Sequence, residues 1–192
     1  GNEEAEAALE RKLLYVSLPE ILKEHFLRGR RNLVVSGTHG KTTTSSILAW
    51  LLKSAGVDPS YMIGGIPRNL GQGATFTDSD FVVLEGDEYD TAFFDKRSKF
   101  LHYLPEVVVI NNIEFDHADI YNSLDEIKLT FKRLLNIVPR IGMAFVNGDC
   151  VNTMDVASDG PAPITTVGLG AECDLQITDV DYGQENTSFV LD

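Results

Sequence analysis

Short, wholly apolar runs separated by longer stretches of one-sided polarity set the pattern of this chain. Residues 32–36 (Asn-Leu-Val-Val-Ser), 81–85 (Phe-Val-Val-Leu-Glu), 107–111 (Val-Val-Val-Ile-Asn) and 143–146 (Met-Ala-Phe-Val) are too short and too uniformly apolar for surface helices. They predict strands buried on both faces, as in a parallel sheet covered by helices. Residues 60–63 predict a further strand. Between the strands, residues 43–55 carry an apolar stripe at helical spacing and end at Gly56, where a helix-terminating residue belongs. Ser123-Leu124-Asp125-Glu126 forms a capping-box pattern that opens an amphipathic helix to about Ile137. Near the start, residues 3–14 predict one helix. Ser17-Leu18-Pro19-Glu20, a second box with proline in the first turn, opens another that runs to about Phe26.

Strands alternating with helices predict an α/β fold, a doubly wound and mostly parallel sheet with helices on both faces. After Gly148 the texture changes to short alternating segments near 164–167, 175–180 and 188–191, which predict a small antiparallel β appendage near the C-terminus.

Composition narrows the function classes. The 192 residues, 43% hydrophobic and 23% charged, fit one globular domain with at most an appendage. Sixteen Lys and Arg against 29 Asp and Glu give a net charge of −13, which disfavours nucleic-acid binding but leaves room for a small anion held by backbone amides. No apolar run approaches the roughly 20 residues of a membrane span. Cys150 and Cys173 lack CxxC spacing and cannot build a disulfide framework, which fits a reducing, cytoplasmic setting. The chain opens on Gly1 without Met or leader and ends in a strand-like segment, so a piece of a longer protein is expected.

The most specific chemical signal is Gly37-Thr38-His39-Gly40-Lys41-Thr42-Thr43, set between a buried strand and a helix. Glycines let backbone amides converge on phosphate oxygens, and the helix N-terminus adds a positive dipole. Lys41 would supply a point charge to the phosphates and Thr42 a hydroxyl to Mg²⁺. Only two residues separate Gly37 from Gly40, where the usual loop has four, so the alternative is a plain strand-to-helix turn. His39 reads equally as a loop filler or a catalytic group.

Two acidic segments follow strands. Glu85-Gly86-Asp87-Glu88-Tyr89-Asp90 places Glu85 at the carboxyl edge of the sheet, where it can hold Mg²⁺ against phosphates. Asp87, Glu88 and Asp90 read equally as an exposed acidic loop. Asn111-Asn112-Ile113-Glu114-Phe115-Asp116-His117-Ala118-Asp119 reaches the same edge, where Asp116 and His117 could bind a second cation or orient a nucleophile, or His117 could merely cap the next helix. His25 and His102 read as surface or helix residues. The segment 93–100, three cations flanked by aromatics, could receive a carboxylate-bearing substrate; from the residues alone a solvated basic face is the preferred reading.

Taken in order, Gly-Thr-His-Gly-Lys-Thr-Thr-Thr, Glu-Gly-Asp-Glu-Tyr-Asp and Asn-Ile-Glu-Phe-Asp-His-Ala-Asp resemble the central ATPase domain of the Mur ligase family, the ATP-dependent amide-bond ligases of bacterial cell-wall synthesis. The resemblance implies a P-loop-type fold and ATP and Mg²⁺ as cofactors. Gly37, Thr38, His39, Gly40, Lys41, Thr42 and Thr43 would bind the phosphates, and Asn112 would sit beside the γ-phosphate. Thr42 and Glu85 would hold one Mg²⁺ and His117 a second, making Lys41, Glu85 and His117 the implied catalytic set. The loop 64–73 would lie near the muramate end of the donor.

Segments 88–100 and 114–119 are similar to the branch that joins UDP-N-acetylmuramate to the recycled tripeptide L-Ala-γ-D-Glu-meso-diaminopimelate. That branch activates the muramate carboxylate as an acyl phosphate. The alternatives are the sister ligase that adds L-alanine and, in another class, a P-loop switch module. Residues 1–30 would then be the helical tail of a preceding UDP-binding domain and 31–192 the ATP-binding domain. The Gly-x-His-Asn-x-x-Asn segment that normally helps hold adenine is absent, and no lysine is placed for carbamylation. Residues 1–192 alone are therefore expected to bind nucleotide weakly and to ligate little.

Overall fold

The computed structural model describes residues 1–116, 121–158 and 160–192. Helix α1 (Glu3–Glu10) is capped by Asn2, whose side chain accepts from the Ala5 amide. It stops four residues short of the predicted end, and Lys12 then turns left-handed at φ 51°. Helix α2 (Leu18–Leu22) starts at the predicted box, with both reciprocal bonds between Ser17 and Glu20 made, and continues as one π turn (Lys23–Leu27). None of residues 1–16 is buried, whereas Leu22 and Leu27 enter the main core.

The sheet strands are β1 (Arg31–Ser36), β2 (Ser60–Met62), β3 (Ala74–Thr75), β4 (Phe81–Glu85), β7 (Pro105–Ile110), β8 (Met143–Asn147), β9 (Ile164–Gly168), β10 (Leu175–Tyr182) and β11 (Thr187–Leu191). They lie in the order β11-β10-β9-β8-β7-β1-β4-β2-β3. From β2 to β10 every neighbouring pair is parallel; β3 and β11 close the two edges antiparallel. The expected C-terminal antiparallel element is thus the pair β10–β11, but 164–168, grouped with it from the sequence, belongs to the parallel sheet. Alternation along a strand reports which faces are buried, not the direction of the partner. A separate hairpin, β5 (Asp90–Ala92) with β6 (Asp95–Ser98), leads through a 3₁₀ turn (Lys99–His102) into β7.

Helices cover both faces. Side chains alternate across a strand, so Val34, Leu84, Val108 and Ile110 face one cluster with Phe131, Leu134 and Leu135 of α4 (Leu124–Asn136). Leu33 and Val83 face the other, against Ala49 of α3 (Lys41–Ser54). Helix α3 begins two residues before the predicted start, which puts Lys41 and Thr42 in its first turn. It ends as the Gly56 signal predicted: the Gly56 amide donates to Lys53 O and the Val57 amide to Leu52 O, with Gly56 at φ 82°.

The box at Ser123 is only half formed. Ser123 accepts from the Glu126 amide, but the Glu126 carboxylate takes the Asn122 amide at 2.8 Å instead of returning to Ser123. Helix α5 (Val151–Ala157) was not predicted, because its Val, Asn and Thr residues are weak helix formers.

Candidate active site

β1 sits between β4 and β7, where the chain order reverses, and the carboxyl ends of these three strands form one rim. Open α/β sheets bind ligands at such a point. The turn out of β1 is bound to both neighbours: Ser36 Oγ donates to Gly86 O at 2.8 Å, and the Thr38 amide donates to Asn112 O at 2.9 Å. Gly37 has φ 127°, and a Cβ there would lie 3.0 Å from backbone atoms of Asn111 and Asn112, so only glycine fits. Gly40, at φ 80°, is the N-cap of α3.

Two asparagines after β7 brace this loop. Asn112 Oδ1 accepts from the His39 amide at 2.8 Å, and Asn111 Nδ2 donates to His39 O and Thr44 Oγ1, each at 3.1 Å. Asn112 thus lies against the loop, while Asn111 is a bracing residue that sequence reading missed. Thr38 Oγ1 adds a further tie by accepting from the Glu114 amide at 2.9 Å. His39 is more than half exposed, with Nε2 3.7 Å from Glu114.

Lys41 folds back over the loop. Its ammonium donates to Gly37 O at 2.8 Å and Thr38 O at 3.2 Å and lies 3.0 Å from Glu88 Oε2. Glu88 is 3% exposed, so its alternative reading as part of an exposed acidic loop is corrected: it lies inside, beside the lysine. Thr42 and Glu85, the pair expected to hold Mg²⁺, lie in direct contact. Thr42 Oγ1 donates to Glu85 Oε1 at 2.9 Å, and the Gly64 amide donates to Glu85 Oε2 at 2.8 Å, which brings the start of the 64–73 loop to the same carboxylate.

Two oxygen donors from two elements suit Mg²⁺, which takes its remaining positions from phosphates and water. Among the described residues no group of three His, Cys, Asp or Glu side chains could hold a metal. His117, the expected second metal ligand, lies outside the described residues, as does Asp119.

A cavity of about 250 Å³ is lined by residues 38–43 of the glycine loop and by Glu85. Beside it opens a larger one, about 660 Å³, whose polar wall includes Lys41, Glu85, Asp87, Lys99, Tyr103 and Asp116. Burial, and then the charges of Asp87 and Glu85, push the Tyr103 phenol well above its ordinary value. Lys99 pairs with Asp87 at 2.6 Å, so the basic segment contributes one cation to this wall.

The rest of that segment is tied down by acids. Lys96 pairs with Asp90 and Arg97 with Asp95, both at 2.7 Å, and buried His102 meets Asp95 at 3.0 Å. His102 does lie in a helical turn, but that turn is buried. The Arg97 side chain holds the Asp95 carboxyl well below the usual carboxylate range, against the upward pull of burial. A depressed folded-state pKa stabilises above the unfolded value of about 3.9 and is lost as pH falls through the folded one. Asp95→Asn should therefore lower the urea midpoint at neutral pH and flatten its fall below about pH 4. Parallel pH profiles of the two proteins would contradict this.

The Mur ligase middle domain pattern matches residues 35–192. This chain belongs to the Mur ligase family. Over 142 residues it is 50% identical to the UDP-N-acetylmuramate–L-alanyl-γ-D-glutamyl-meso-2,6-diaminoheptandioate ligase of Escherichia coli, covering 74% of this chain and 31% of that protein. Over 189 residues it is 36% identical to the UDP-N-acetylmuramate–L-alanine ligase of Geotalea uraniireducens, covering 98% of this chain and 40% of that protein. The crystal structure of UDP-N-acetylmuramate:L-alanyl-γ-D-glutamyl-meso-diaminopimelate ligase from Neisseria meningitides superposes with a TM-score of 0.88 at 40% identity, over all of this chain and 61% of that one. The matched stretch thus spans about a third of the length of the tripeptide-adding ligases and two fifths of the L-alanine ligase.

Proposed function

We propose that this chain is the ATP-binding part of a ligase that joins UDP-N-acetylmuramate to L-Ala-γ-D-Glu-meso-diaminopimelate, releasing ADP and phosphate. The observation that carries the reading is the convergence of Lys41, Thr42 and Glu85 at the carboxyl ends of β1 and β4, beside a cavity large enough for a second substrate. The 50% identity to the tripeptide-adding relative supports this branch over the L-alanine branch.

In this reading residues 31–192 are the nucleotide-binding domain and residues 1–30 the tail of a preceding one. Loop amides and Lys41 hold the β- and γ-phosphates of ATP, and Asn112 keeps the loop in register with β7. Thr42 and Glu85 hold Mg²⁺, which screens charge building on the γ-phosphate; His117 is the proposed ligand of a second ion. The muramate carboxylate, seated in the larger cavity, attacks the γ-phosphorus and displaces ADP. The tripeptide amine then attacks the acyl carbon of the resulting acyl phosphate, loses a proton and displaces phosphate. Both steps build negative charge, and Lys41 is already directed at the loop where it develops. No helix among the described residues is long and apolar enough to cross a membrane, and water-soluble substrates of this kind fit a cytoplasmic enzyme.

ADP release by the full-length protein, with and without UDP-N-acetylmuramate, tests this reading against a P-loop switch module. Release that requires the sugar nucleotide is expected; equal release without it would support the switch.

A further inference from the structure

Glu88 is a buried carboxylate for which the reaction as written has no use. It lies three residues beyond Glu85, yet its side chain takes no part in the Thr42–Glu85 contact; it faces Lys41 instead. An ammonium has three N–H donors. Lys41 directs them to Gly37 O, Thr38 O and the Glu88 carboxylate. Fully engaged in this way, it can hold a phosphate oxygen only by giving up one of the three. The two carbonyls are neutral and belong to the loop itself. Glu88 alone carries a charge that repels the incoming phosphate.

The two partners differ in freedom. The backbone at Glu88 is anchored: Tyr121 Oη donates to Glu88 O at 2.8 Å, and the Lys99 amide donates to Tyr89 O at 3.1 Å on the next residue. Lys41 sits at the first position of a helix on a flexible four-carbon stem. The anchored backbone at Glu88 leaves Lys41 the freer of the two partners.

We propose that Glu88 is a positioning residue that acts as a built-in competitor for Lys41. It holds the lysine against the glycine loop and yields it when a nucleotide's phosphates arrive. The inference rests on the nucleotide-binding reading of this site. Its consequence is a penalty on nucleotide affinity, because a negative charge within ion-pair distance of Lys41 opposes the phosphates that need it. The same competition favours release of the bound nucleotide, since Lys41 has a partner to return to.

The test measures Mg-ADP binding to the full-length protein by calorimetry. Glu88→Gln keeps the shape and removes the charge, so it should bind Mg-ADP about five- to tenfold more tightly than wild type. Glu88→Asp keeps the charge and should stay nearer to wild type. A role confined to packing predicts the opposite: both variants would lose stability and affinity together. Equal or weaker binding by Glu88→Gln overturns the proposal.

Should that variant fail to fold, a wild-type crystal structure with Mg-ADP decides. The Lys41–Glu88 ion pair should be broken, with Lys41 Nζ on a phosphate oxygen; an intact pair alongside that phosphate contact overturns the proposal. Absence of any Mg-ADP or Mg-ATP binding by wild type would instead remove the nucleotide-binding reading beneath it.

Discussion

Replacing Lys41 by alanine is expected to cut ATP-dependent turnover of the full-length protein by about a thousandfold. Among the described residues that line the small cavity beside the loop, Lys41 is the one Lys or Arg, and its ammonium already lies on the loop carbonyls. In a partly buried site such a charge acts through a low effective dielectric and needs little reorganisation as negative charge builds. The variant also removes a cation 3.0 Å from a buried carboxylate, which destabilises the fold in its own right. A second variant separates the two effects: Lys41→Ala combined with Glu88→Gln should regain stability in urea but not turnover. Turnover that returned with stability would show the lysine to be structural. The check is steady-state ADP release alongside urea unfolding of both proteins.

Glu85→Gln should lower turnover by about a hundredfold and raise the Mg²⁺ concentration needed for half-maximal rate by about tenfold or more. The carboxylate closes β4 and accepts from Thr42 and from the Gly64 amide. Glutamine can keep a carbonyl oxygen in one of those contacts, so the fold should hold while the anionic ligand is lost. A Mg²⁺ titration of the rate reads this directly. An unchanged Mg²⁺ requirement would mean that Glu85 braces the Gly64 turn and holds no ion.

The parts of the site that were legible in the sequence are those built from neighbouring residues. An apolar run, a glycine turn and a helix start placed Lys41 and Thr42, because a phosphate loop is a local structure whose glycines are demanded by backbone geometry. The positive φ at Gly37 and Gly40 bears out the glycine turn itself. Glu85 was legible because it closes an apolar strand.

What escaped depends on contacts far along the chain. Asn111 braces His39 across more than 70 residues of sequence, and no spacing rule reports such a contact; Asn112, expected at the site, makes a similar one. Glu88 looked like one of several interchangeable acids, and only the approach of α3 to the loop after β4 singles it out for burial. The two strands of the 90–98 hairpin hold a single apolar residue, Ala92, so periodicity was silent there; ion pairs such as Lys96–Asp90 join them. At the C-terminal end the alternating segments correctly signalled strands, while the parallel pairing of 164–168 depended on a neighbour, β8, that the local pattern does not name.

The most direct measurement follows ADP release by the full-length protein with Mg-ATP and UDP-N-acetylmuramate, offering either L-Ala-γ-D-Glu-meso-diaminopimelate or free L-alanine as acceptor. The proposed function predicts turnover with the tripeptide and little with L-alanine. Turnover with L-alanine alone would contradict it, leaving the phosphate loop and the fold in place but assigning the chain to the sister branch.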